Sequence, residues 1–274
     1  MDKYDIVVLA GQSNAEGNGL GAVRRPYRED PRVFALRDKN AGLIGFDDKG
    51  LLRVGGDFDP DITVAREKVT GGKKVADFGL SFAREYVANG LLKDDRKLLI
   101  VNAAVGGTGF AKHQWGETAV LQERAFRMVD YALSLNAENK VVAFLWHQGE
   151  HDAYENRDLS LKTKEAYYYE KFGNLVNKFL SEYGEMPVIA GGFCKEWASG
   201  EFAEHCKVIT KATKKVLKNV GGAFVTTDDL LSNNQDSGNG DNIHFCRKSI
   251  YVLGKRYFKA FTKIITKVLY EIRL

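Results

Sequence analysis

Long hydrophobic runs are missing from this chain. None approaches the ~20 residues of a membrane-spanning helix. The first apolar run, Ile6–Ala10, is five residues long, short of the roughly 7–15-residue apolar region of a secretory leader. The expectation is a cytoplasmic protein with no membrane partner. Cysteine is scarce too. Cys194, Cys206 and Cys246 cannot all pair within the chain, so reduced structural thiols are expected instead of a disulfide framework. No charge sign dominates. Lys and Arg number 40 and Asp and Glu 36, a formal net charge of +4. That balance gives a solvated mixed surface and no nucleic-acid footprint. Internal repeats and low-complexity linkers are absent, and 274 residues read as one domain, 1–274.

What is present is alternation. Candidate strands are Asp5–Ala10, Arg32–Leu36, Leu98–Asn102, Val141–His147, Val188–Gly191 and Ala223–Thr226. Several are almost continuously apolar, which suits strands covered on both faces. Between them run helical stripes. One holds Leu121, Ala125, Met128, Val129 and Ala132. A second holds Phe172, Leu175, Val176, Phe179 and Tyr183. A third holds Leu253, Tyr257, Ala260, Phe261, Ile264 and Val268. The pattern predicts an α/β fold, a three-layer αβα sandwich around a mostly parallel sheet. The segment from Arg37 to Ala76 lacks sustained periodicity. It reads either as a lid or binding loop or as a set of short elements.

Chemistry gathers where the strands end, the place where doubly wound sheets bind ligands. The first strand runs into Gly11-Gln12-Ser13-Asn14 and the third into Gly106-Gly107-Thr108. The fourth runs into His147-Gln148-Gly149-Glu150-His151-Asp152, and Asp241-Asn242-Ile243-His244 precedes the last helix. Ser13 is the candidate nucleophile; the bland alternative is a helix-capping serine. A serine hydroxyl needs a base, and His244 can serve, with Asp241 three residues earlier to orient it. A glycine N–H of the Gly106-Gly107 turn and the Gln148 side chain are candidate oxyanion donors.

A rival motif overlaps the same loop. His147, Glu150 and His151 spell His-x-x-Glu-His, a zinc-protease pattern that needs both histidines on one helix. A strand reaching Trp146 and a glycine at 149 argue against that helix. Cys194, Cys206 and His205 lack paired metal-ligand spacing. No metal and no cofactor are expected.

In this order and spacing, Gly11-Gln12-Ser13-Asn14, Gly106-Gly107-Thr108, Trp146 to Asp152 and Asp241 to Phe245 resemble the blocks of SGNH hydrolases. The closer resemblance is to the sialate O-acetylesterase and acetylxylan esterase branch, carbohydrate esterase family six. Phe78-Gly79-Leu80-Ser81 resembles its early helix start, without the proline expected after Gly79. The resemblance implies a flavodoxin-like sandwich and serine-dependent removal of acetyl groups from sugars or polysaccharides. It places the nucleophile on Ser13, the base on His244 and the acid on Asp241. It places the oxyanion donors on Ser13 N–H, Gly107 (Gly106 the rival) and Gln148. Glu150 and Asp152 become supporting residues that order their loop, and Phe110 and Trp115 a sugar-facing wall. Apart from the resemblance, the polar side chains of Gln12 and Asn14 can brace the Ser13 turn as supporting residues. The alternatives are an esterase or thioesterase for other acyl groups, and a silent carbohydrate-binding protein on the same fold. Oligomeric state is not readable from the sequence.

Overall fold

The computed structural model describes residues 2–40, 44–47, 52–54, 56–155 and 157–271. The first apolar run forms β1 (Tyr4–Gly11), buried along its whole length. It passes at once into one helical turn, α1 (Ser13–Glu16), and the chain then reaches β2 (Val33–Asp38). The described part of the Arg37–Ala76 segment holds short elements. They are β3 (Ile44–Phe46), β4 (Leu52–Val54), β5 (Pro60–Val64), β6 (Lys68–Thr70) and β7 (Lys73–Val75). Regular alternation follows, with α2 (Phe78–Ala88), β8 (Lys97–Asn102), α3 (Val120–Ser134) and β9 (Lys140–His147). Next come the short α4 (Glu150–Tyr154), α5 (Leu161–Tyr183), β10 (Val188–Gly191) and α6 (Lys195–Ala198). The chain continues through α7 (Ala203–Asn219), β11 (Ala223–Val225), α8 (Asn233–Ser237) and α9 (Arg247–Glu271).

The main sheet has seven strands in the order β11-β10-β9-β1-β8-β2-β5. Every pairing is parallel except that of edge strand β5 with β2. Two small antiparallel hairpins, β3–β4 and β6–β7, stand apart from it. Successive strand residues face opposite sides of a sheet, and β1 uses both. Ile6, Val8 and Ala10 join one core with Met128 of α3, Phe172 of α5 and Ile209 of α7. Val7 and Leu9 join the other with Phe78 and Phe82 of α2 and Leu253 and Tyr257 of α9. Helices therefore cover both faces, as the near-continuous apolar strands require.

One charged residue, Asp5, interrupts the β1 run and is buried. Arg96 Nε donates to its Oδ1 at 2.7 Å and the Tyr86 hydroxyl to its Oδ2 at 2.9 Å. A buried carboxylate is tolerated when its charge and lone pairs are matched in this way. The three cysteines are free and buried. Burial pushes the Cys194 thiol up to about 11 and Cys206 up to about 12. Among the described residues, no helix is long and apolar enough to cross a membrane.

Candidate active site

After β1 the winding of the sheet divides. β8, β2 and β5 lie to one side of it and β9, β10 and β11 to the other. The carboxyl ends of β1 and β9 meet there, with Gly11 opposite His147. Gly11 has φ of +124°, and a Cβ on it would lie 2.1 Å from the His147 carbonyl oxygen. Only glycine allows this approach. Gln12 N–H donates to that same carbonyl at 3.0 Å, and the chain then turns so that Ser13 opens α1.

Ser13 meets the last loop of the chain there. Its Oγ lies 2.8 Å from His244 Nε2. His244 Nδ1 lies 2.9 Å from each Asp241 carboxylate oxygen. A carboxylate only accepts, so in the neutral ring Nδ1 carries the hydrogen and Nε2 is free to accept from the Ser13 hydroxyl. Burial works against the Asp241 charge. Hydrogen bonds from Asn233 and His244 and the attraction of His244 outweigh it, and hold the carboxyl below its ordinary range.

The serine faces a cleft of about 420 Å³, lined among others by Glu16, Asn18, Gly107, His151, Tyr154 and Trp197. The rival glycines are distinguished by their N–H groups. Gly106 N–H donates to Glu16 Oε2 at 2.9 Å. The N–H groups of Gly107 and Ser13 have no acceptor among the described residues.

The other expected site residues divide. Gln12 braces the turn that carries Ser13, its Oε1 accepting from His151 N–H at 3.0 Å. Asn14 and Glu150 join each other at 2.8 Å beneath the serine. Asp152 accepts from the Phe110 and Ala111 N–H groups and from Gln148. Burial raises the Asp152 carboxyl to about 6.

Three expectations are corrected by placement. Gln148 does not aim an N–H at the cleft. Its amide nitrogen is held by Asp152 Oδ2 at 2.6 Å, the Thr108 carbonyl at 3.1 Å and Gln12 Oε1 at 3.3 Å. Two hydrogens among three acceptors leave none for an oxyanion. Phe110 and Trp115 form no sugar-facing wall. Each is 1% exposed; Phe110 stacks on Trp146 and Trp115 packs edge-on against it. The exposed cleft aromatic is Tyr154 instead.

The sequence reading also missed Asn233 and Glu16. Asn233 Nδ2 donates to Asp241 Oδ2 at 2.8 Å and so fixes that carboxylate. A signal for it existed, because Ser232 and Gln235 form a capping box that starts α8 at Asn233. Glu16 had no comparable signal. The Arg37–Ala76 segment supplies Lys68, whose ammonium donates to the Glu16 carbonyl at 2.7 Å. It also supplies Arg37 and Arg66 to a second pocket that shares Glu16 with the cleft.

The zinc-protease motif is not assembled as such. His147 ends β9, α4 begins only at Glu150, and Gly149 between them has φ of +144°. His147 is a core residue. The Tyr257 hydroxyl donates to the Trp146 carbonyl at 2.8 Å and so accepts from His147 Nδ1–H at 3.0 Å. Burial pushes the His147 pKa down from 6.5 to about 3. In the unfolded chain this histidine protonates near its ordinary value; in the fold it stays neutral. Stability is thus unaffected by His147 above about pH 6.5 and falls as pH drops from there toward 3, by up to ~1.4 kcal/mol per pH unit. Denaturant unfolding at about pH 7 and 5 is expected to show a loss near 2 kcal/mol from this group. A His147→Gln variant with the wild-type slope would contradict this assignment.

Comparison with known proteins agrees with this architecture. The family model for "carbohydrate esterase, sialic acid-specific acetylesterase" matches residues 3–263. The crystal structure of NanS superposes with a TM-score of 0.70 at 19% identity, covering 97% of this chain and 98% of that one. A carbohydrate acetylesterase from Xanthomonas citri gives 0.61 at 16% identity, covering 95% of this chain and 56% of that one. An α/β hydrolase from the metagenome of Lake Arreo gives 0.51 at 14% identity, covering 96% and 98%. No curated protein matches the chain in sequence. With the family model spanning nearly its whole length, the chain belongs to the sialic acid-specific acetylesterase family of SGNH carbohydrate esterases, and is a carbohydrate O-acetylesterase.

Proposed function

We propose that Ser13, His244 and Asp241 carry the ester hydrolysis, by a covalent acetyl-serine route. Ser13 Oγ attacks the ester carbonyl carbon as His244 Nε2 takes the hydroxyl proton. Asp241 steadies the resulting imidazolium through Nδ1–H. The N–H groups of Ser13 and Gly107 receive the oxyanion; losing one such donor typically costs about 10²–10³ in rate. His244 returns the proton to the departing sugar oxygen, which leaves acetyl-Ser13. Water then attacks the acetyl carbon with His244 again as base; the bond from that carbon to Ser13 Oγ breaks, His244 hands the proton to Oγ, and acetate leaves. The observation that carries this reading is the 2.8 Å contact of Ser13 Oγ with His244 Nε2, backed by Asp241 at 2.9 Å.

The cleft favours a sugar as the alcohol part of the ester. Its wall combines the polar groups of Gln12, Glu16, Asn18 and His151 with the rings of Tyr154 and Trp197. Sugars pair hydroxyls with such polar groups and stack their apolar faces on such rings. A long-chain acyl ester would call for an extended apolar channel. The test is acetate release across acetylated sialic acids, acetylated xylans and simple acetylated sugars, with Ser13→Ala as the control. Release from at least one carbohydrate ester, abolished in the variant, is expected. Turnover confined to long-chain or thioester substrates would overturn the reading.

A further inference from the structure

We infer that Asn14 and Glu150 form a clamp that sets the position of His244 against Ser13. The inference deepens the triad reading and rests on it. Asn14 directly follows the nucleophile and is fully buried. Its Oδ1 accepts from Phe245 N–H at 3.1 Å, and its Nδ2 donates to the Ile243 carbonyl at 3.2 Å. Ile243 and Phe245 are the two residues that flank His244. One side chain therefore grips the base-bearing loop on both sides of the base, from the position next to the nucleophile. The amide orientation is fixed by chemistry: a backbone N–H can only donate and a carbonyl can only accept.

The second Nδ2 hydrogen goes to Glu150 Oε1 at 2.8 Å. Glu150 opens α4, just beyond β9, and is 1% exposed. This contact stops the Asn14 amide from rotating away from Ile243 and Phe245. The other carboxyl oxygen, Oε2, has no partner among the described residues. Burial pushes the Glu150 carboxyl toward its neutral form, against the hydrogen bond from Asn14. Charged or neutral, Oε1 still accepts. The clamp thus links three separate segments: the start of α1, the start of α4 and the loop before α9. Glu150 is a positioning residue in this scheme and acts only through Asn14.

The nature of the grip makes specific demands. Aspartate at 14 keeps an acceptor for Phe245 N–H but offers no donor to Ile243 or Glu150. Leucine at 150 removes the acceptor, whereas glutamine keeps an oxygen there. The experiment compares Asn14→Asp, Glu150→Leu and Glu150→Gln with wild type in three measurements: kcat and KM for p-nitrophenyl acetate, the rate of Ser13 labelling by a small fluorophosphonate, and the thermal midpoint. Misplacing a catalytic group by about 1 Å can cost about 10²-fold. A drop of that order in kcat and in labelling rate is expected for N14D and E150L, with KM nearly unchanged. E150Q is expected to recover most of the rate lost in E150L. Should N14D not fold, Asn14→Ser removes the same bridge without adding charge and carries the same expectation.

Wild-type rates in a folded N14D would overturn the clamp. A rise in KM at unchanged kcat would overturn it too, since that marks a substrate contact. E150Q as slow as E150L would show Glu150 acting in its own right and would likewise overturn it. Fluorophosphonate labelling does not depend on which ester the enzyme serves. A wild type left unlabelled at Ser13 removes the triad reading and the clamp together. A labelled wild type with an equally labelled N14D removes the clamp alone.

Discussion

Ser13→Ala is expected to lower kcat for p-nitrophenyl acetate by about 10⁴–10⁶-fold, with the fold retained. The size follows from what is lost. Without Oγ no acetyl-enzyme forms, and His244 has only water to activate, unaligned with the carbonyl. The residual rate comes from the backbone donors and binding alone. Little else changes, because the Ser13 bonds that hold the turn are backbone ones. Its carbonyl accepts from Gly17 N–H at 3.0 Å and from Asn18 Nδ2 at 2.9 Å, and neither needs the hydroxyl. The check is kcat beside the circular dichroism spectrum. A variant as fast as wild type would mean that another group is the nucleophile.

Asp241→Asn is expected to cost about 10⁴-fold in kcat, although the side chain keeps its shape. The cause is a mismatch of donors. In the wild type both carboxylate oxygens face only donors: Oδ1 takes the His244 N–H at 3.2 Å and Oδ2 takes Asn233 Nδ2 at 2.8 Å, while His244 Nδ1 is 2.9 Å from each. An amide must turn its NH₂ toward either Asn233 or His244. Toward His244, it favours the tautomer with the hydrogen on Nε2, and a protonated Nε2 cannot accept from Ser13. Toward Asn233, it sets two donors against each other beside a partly buried loop. Steady-state kinetics of the variant decide the matter. A rate within tenfold of wild type would remove Asp241 from the triad.

The parts of the fold that were legible in the sequence share one property: burial on both faces. β1, β8, β9 and β10 are apolar almost throughout because helices cover the sheet on each side. The edge and hairpin strands have no such signature. β6 and β7 are three residues each and carry Lys68, Lys73 and Lys74, so a strand period cannot show. α7 was also missed. Its buried face is Cys206, Ile209, Ala212, Thr213, Val216 and Leu217, small or weakly apolar at several positions and interleaved with lysines.

The site divides along similar lines. The proposed triad of Ser13, Asp241 and His244 was legible because serine catalysis needs those side-chain types, and they meet at the sheet's carboxyl end, Ser13 at the start of α1 and the other two in the loop before α9. Orientation was not legible. Nothing in the residue type of Gln148 shows that Asp152, Thr108 and Gln12 claim its amide nitrogen, or that Tyr168 donates to its oxygen. The family resemblance suggested Phe110 and Trp115 as a wall, but their rings are packed against Trp146 inside the core. Asn14 became interpretable only once Ile243 and Phe245 were seen on either side of His244, more than two hundred residues away in the chain.

The acetyl-serine intermediate is the most direct test of the account. Wild-type enzyme mixed with excess p-nitrophenyl acetate is quenched in acid within the first turnovers and mapped by peptide mass spectrometry. The expected result is an acetyl group on the peptide containing Ser13, with a matching burst of nitrophenol, and neither in Ser13→Ala. Acetylation of a different residue at that rate, or a burst that survives in Ser13→Ala, would contradict it.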